Sequence, residues 1–162
     1  MRWVWFFGFC SLVLLTGLAV YLMPLRPNIV ALQFTFSPEA FQAVLNDWQP
    51  EGVARFRAHL PIDGVLLLCY GAYGYLQTTR THLFASFSDS ARGFIASMLP
   101  LAAFFDAVEN LMHFLLTNPG APPNPPMAFY AGCSSTLKWT FLSLFLLCVI
   151  HSVGVVRWWK RH

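Results

Sequence analysis

Charge is what this sequence has least of. Aspartate, glutamate, lysine and arginine make up 10% of its 162 residues, against about 25% in a soluble domain. With 57% hydrophobic residues and a mean hydropathy of +0.55, that excludes a soluble globular protein. The net charge of +3 is too small and too dispersed for a nucleic-acid-binding surface. Cysteine is sparse as well: Cys10, Cys69, Cys133 and Cys148, with no CxxC and no Cys/His spacing of a zinc site. Three of them lie in apolar runs, where cysteine acts as a small buried hydrophobe. No disulfide framework, redox centre, metal or other cofactor is expected. There is no internal repeat. No small-x-small cleavage site or lipoprotein box follows the first apolar run, so Trp3 to Met23 reads as a retained helix, not a signal peptide.

What is present is organised around Phe94 to Thr117, FIASMLPLAAFFDAVENLMHFLLT. It is long and apolar enough to cross a bilayer, yet it contains Asp106, Glu109, Asn110 and His113. Those positions fall at i, i+3, i+4 and i+7 and share one helix face. Ionisable groups at membrane depth normally face a protein interior or a wet cavity. The other apolar segments must hide this face.

The chain therefore reads as an all-α polytopic membrane protein, a single domain over 1–162 built as a bundle of four transmembrane helices. The other spans are Trp3–Met23, Pro61 to about Thr78, and a last one from between Ala131 and Ser135 to about Val156. Gly64, Gly71 and Gly74 allow close approach along the second span, and Pro100 predicts a kink in the third. The proline-rich loop Asn118 to Met127 suits a stiff spacer.

Residues 28–60 form the only sizeable segment outside the spans. Ile29 to Phe36 has the composition of a short extended piece. Ser37-Pro38-Glu39 starts a helix with Phe41, Val44, Leu45 and Trp48 on one side, placed flat at the extracytoplasmic interface. Gln49-Pro50-Glu51-Gly52 ends it, and a basic stretch, Val53 to Leu60, leads into the second span.

With four spans both termini share a side. Placing them in the cytoplasm puts Arg2, Arg80, Arg92, Arg157, Lys160 and Arg161 inside, against Arg26, Arg55, Arg57 and Lys138 outside. Arg157 to His162 then forms an aromatic and basic anchor at the inner boundary. Asp106 falls near mid-bilayer, ~18 Å along the helix from Phe94, and His113 lies ~28 Å along it. Asp63 and Lys138 converge with them on the outer half.

Each polar residue has a plain and a sharper reading. Asp106 and Glu109 are either interhelical glue or a ligand or acid–base site. Glu109, nearer the surface, is expected to carry the charge, with Asp106 protonated. Lys138 is either a snorkelling lysine or the cationic partner of Glu109 or Asp63. Asp63 is a first-turn acid complementing the helix dipole or part of the site. His113 pairs with Glu109; with no second histidine nearby, a metal is not expected. Tyr70 packs, its hydroxyl finding a carboxylate. His59 and His151 carry no signal.

The run D-A-V-E-N, Asp106 to Asn110, resembles the D-x-x-E-N helix of a family of small four-helix bacterial membrane proteins. Asp63 at the start of the second span, the Trp-ended helix from Phe41 to Trp48, and Lys138-Trp139 opening the fourth extend the resemblance over most of the chain. It implies the architecture and a bacterial inner-membrane location, and no activity. Three functions remain in view. One is holding a lipid-like ligand or a membrane-protein partner within the bilayer. Another is acid–base chemistry on a lipid by Glu109 or Asp106 with His113 or Lys138. The last is cation passage, disfavoured because the inner half of the third span is apolar.

Overall fold

The computed structural model describes residues 1–120 and 122–159, with side chains to Gly154. Lys160, Arg161 and His162, and the side chains of Arg157, Trp158 and Trp159, lie outside the description, and the expected inner anchor lies with them. Every regular element among the described residues is an α-helix: α1 Arg2–Leu22, α2 Ile29–Gln33, α3 Pro38–Arg80, α4 Asp89–Leu116 and α5 Pro125–Trp159. Three are long and apolar enough to cross a membrane: α1, α4 and α5 from Pro125 to Gly154.

Residues 29–36 are not extended. Asn28 caps a short helix by accepting the Ala31 N–H at 3.3 Å, and no strand among the described residues is there to pair with an extended segment. Ser37 caps α3, its hydroxyl accepting from Ala40 N at 3.3 Å. The exposed Glu39 in that first turn is held below the usual carboxylate range by a backbone N–H and the Ser37 hydroxyl.

The amphipathic helix does end at Gln49, which breaks α3 with φ 57° and ψ 172°. That region is almost reserved for glycine and costs about 1–3 kcal/mol. The residues on either side hold it there. Trp48 is buried, donates its indole N–H to Pro27 O at 2.6 Å, and packs on Phe56 with ring centroids 5.3 Å apart. Phe41, Val44, Leu45 and Trp48 join Leu22, Leu25, Leu32, Phe56 and Leu60 in one buried cluster. This helix therefore packs on the protein as a cap.

The second half of α3 begins at Pro50, well before the expected Pro61. Proline at a first helical position gives up an N–H that would be unpaired anyway. Phe56 and Leu60 face the buried cluster from this helix, so the basic stretch is anchored as helix and runs straight through Pro61. The other boundaries move outward too. Ser88 caps α4 before the apolar run begins, and α4 passes through Pro100 as one helix. Asn124 accepts the Met127 N–H at 3.1 Å, so α5 opens on the last two prolines of the loop.

Neighbouring long segments run antiparallel. On α1 and α3, Gly8 faces Tyr73 and Tyr21 O accepts from Arg55 Nη1 at 3.0 Å. On α3 and α4, a Cβ on Gly74 would sit 2.4 Å from Leu99 Cβ, while Phe114 O accepts from Arg57 Nη1 at 2.8 Å. Gly74 and Gly71 thus allow the close approach expected of them, whereas Gly64 faces open space. On α4 and α5, Phe105 stacks on Phe141 at 5.9 Å. The segments form a series α1–α3–α4–α5, and among the described residues α1 and α5 are not closely packed on each other. At one end of that gap α2 bridges it, with Trp139 Nε1–H donating to Gln33 Oε1 at 3.1 Å.

Candidate functional site: a polar wall in an apolar cleft

Lys138 is the centre of the polar cluster. It lies several turns inside α5 and is 3% exposed, too deep for a snorkelling lysine. Its Nζ is 3.0 Å from Asp106 Oδ1 and 2.5 Å from Glu109 Oε2. It is the cationic partner of Glu109, as one reading had it, and of Asp106 as well. It makes no ion pair with Asp63 among the described contacts.

Asp106 also accepts from the Tyr70 hydroxyl, on Oδ2 at 3.1 Å. Both its oxygens are thus engaged, one by the ammonium and one by the phenol. Lys138 thus pairs with Asp106 as well as with Glu109, the acid expected to carry the charge. Depth along α4 was a poor guide because the α4–α5 register brings Lys138 level with both acids. Tyr70 does what its position suggested.

Glu109 and His113 lie behind the lysine. Both are 1% exposed, and His113 Nδ1 stands 3.6 Å from Glu109 Oε1. The His113 ring stacks on Phe41 of the cap at 5.5 Å and meets Phe56 edge-on at 5.9 Å. Its Nε2 is buried without a hydrogen-bond partner.

Asp63 accepts from Asn110 Nδ2 on Oδ2 at 2.6 Å. The dipole reading of Asp63 fails, because its helix starts several turns earlier at Pro50 and no helix end is near. His59 is the residue the sequence reading missed. It is 3% exposed, its Nδ1–H donates to Phe56 O, and its ring packs on Phe56 at 4.8 Å. His59, Asp63, Leu66 and Tyr70 follow one another at i, i+4, i+7 and i+11. That signal was legible had the helix been continued back through Pro61.

The gap between α1 and α5 is a cleft of about 1070 Å³. His59, Asp63, Tyr70, Asp106, Asn110 and Lys138 form its polar wall, while Leu12, Leu15 and Leu18 of α1 and Leu142 and Leu146 of α5 make the apolar remainder. Its lips are open, with Leu12 63% and Leu146 57% exposed. Glu109 and His113 do not line it. The face read from α4 is therefore divided: Asp106 and Asn110 reach the cleft, and Glu109 and His113 are sealed under the cap. No group of three or more His, Cys, Asp or Glu residues among the described ones is placed to hold a metal ion.

Compared with protein-family models, curated proteins and solved structures, the chain matches none.

Proposed function

We propose that this is a four-span protein of the bacterial inner membrane that holds an amphiphilic, lipid-like molecule in the cleft between α1 and α5. The observation that carries the reading is the cleft itself. It is apolar over most of its lining, open along its lips, and carries the Asp106–Lys138 pair on one wall. Polar groups serving only as interhelical glue would be closed off, as Glu109 and His113 are. Apolar pockets with a few convergent polar groups are the usual form of small-molecule sites. A membrane-protein partner laid along the same open side is the accessory-subunit form of this reading.

For the fourth span we take the second half of α3. It runs antiparallel between α1 and α4 and shares their depth from Arg55 to Tyr73. The resemblance carried by Asp63, D-A-V-E-N and Lys138-Trp139 supports the same count and the bacterial membrane. For orientation we keep both termini cytoplasmic. The arginines at the opposite end are engaged with helix-end carbonyls: Arg26 on Met23 O, Arg55 on Tyr21 O and Arg57 on Phe114 O. Such capping accounts for cations on the side that otherwise has fewer of them. Reporter fusions at Asp89 and Gly120 should give opposite signals, cytoplasmic and extracytoplasmic; matching signals would rule out this topology.

Acid–base chemistry on a lipid is the alternative, and one observation favours it: the Tyr70–Asp106 hydrogen bond lies on the cleft wall. The reacting groups would then be Asp106 and Tyr70, since Glu109 and His113 do not reach the cleft. Native mass spectrometry of protein released from a mild detergent, with lipid identification, tests the binding reading. Wild type should carry a bound amphiphile, Asp106→Asn should lose it roughly tenfold by loosening the Lys138 and Tyr70 side chains that it holds on the cleft wall, and Glu109→Gln should keep it. Loss in Glu109→Gln with full retention in Asp106→Asn, both variants remaining monodisperse, would leave interhelical glue as the account.

A further inference from the structure

We infer that the polar end of the cleft's ligand is a cationic hydrogen-bond donor, an ammonium on an alkyl body, received by Asp63. This rests on the ligand-binding reading above and goes on to name the ligand's class. The three charged side chains on the cleft wall are Asp63, Asp106 and Lys138. Lys138 is already shared between Asp106 at 3.0 Å and Glu109 at 2.5 Å. Asp106 is satisfied on both oxygens, by Lys138 and Tyr70. Among the described residues of this wall, Asp63 is the acid left without a cation. Its one side-chain hydrogen bond among the described residues comes from the Asn110 amide, on Oδ2 at 2.6 Å. Oδ1 is left to the cleft.

Two acids against one committed ammonium leave this wall one acid in excess, with Glu109 behind it not counted. A phosphate or carboxylate headgroup would enter beside that excess acid and meet no uncommitted cationic side chain among the described lining residues. An ammonium supplies both the missing charge and N–H donors for Asp63 Oδ1. The shape agrees. Gly8 opposite Tyr73 and Tyr21 opposite Arg55 set Asp63 roughly level with Leu15 of α1, about 10 Å below the end of that helix at Leu22. From there the cleft continues past Leu12 and Gly8 to Val4, roughly 16 Å of mostly apolar wall. A single alkyl chain fits that course.

The test uses the full chain, delipidated in a mild non-ionic detergent, with dodecylamine, dodecanol and dodecyl phosphate as chain-matched probes. Retention is read by native mass spectrometry. Dodecylamine should be retained at least about tenfold better than the other two. Asp63→Asn should remove that preference, bringing dodecylamine down to the retention of dodecanol on the same variant. Preference for the phosphate, equal retention of amine and alcohol, or an amine preference that survives Asp63→Asn would each overturn the assignment while leaving cleft binding intact. Retention of none of the three would instead overturn the binding reading beneath it. If Asp63→Asn does not fold, the order of the three probes on wild type decides.

Discussion

Replacing Lys138 with methionine should unfold the polar cluster from its centre. The change keeps most of the side-chain volume and removes the charge. Asp106 and Glu109 would be left facing each other without the ammonium now 3.0 and 2.5 Å from them. Breaking a buried ion pair from one side costs about 3–5 kcal/mol, because the stranded charge stays desolvated. Thermal unfolding in detergent should show a midpoint lower by on the order of 10 °C. Removing the partners' charges together should recover most of the loss, since a fully neutral replacement of a buried network is often close to neutral. The triple variant with Lys138→Met, Asp106→Asn and Glu109→Gln is that control. A single variant within 2 °C of wild type, on the same scale, would mean that the lysine reaches water and that the cluster is not closed around it.

The second large effect is expected at the cap. Val44 is 8% exposed and sits among Leu22, Leu25, Leu32, Phe56 and Leu60. Val44→Asp sets a carboxylate there with no cation among those neighbours, at about 2–3 kcal/mol or more. The strained Gln49 joint is the weak point at which the cap would lift, since its backbone is held by the burial of Trp48. Phe41 and Trp48, at 4% and 5% exposure, are shielded from chymotrypsin in the wild type. Cleavage after them should speed up by more than tenfold in Val44→Asp, since local opening of this free energy sets the rate of proteolysis. His113 would lose the Phe41 ring stacked on it and become reachable from outside. An unchanged cleavage rate would show that the cap's apolar stripe does not hold it down.

Periodicity and composition carry only what is local to one segment, and they carried that well. The shortage of charge and the long apolar runs already pointed to helices long and apolar enough to cross a membrane, since a helix satisfies its own backbone in lipid. The 3.6-residue spacing of Asp106, Glu109, Asn110 and His113 identified an inward face. The Ser37-Pro38 start and the stripe from Phe41 to Trp48 identified the cap helix and its end at Gln49. Prolines misled, since Pro61 read as the start of a span and lies inside α3, while Pro125 read as part of a loop and opens α5.

Which group meets which across helices was decided by tertiary structure alone. The contact of Gly74 with Leu99 sets how closely α3 lies on α4, and the α4–α5 register brings Lys138 level with two acids at once. A face on one helix is about 100° wide, so it cannot say that Asp106 turns to the cleft while Glu109, one turn on, is sealed under Phe41. The cleft itself exists because α1 packs on α3 and leaves α5 free. No spacing within a single helix encodes such an omission, since it is the sum of three packing choices.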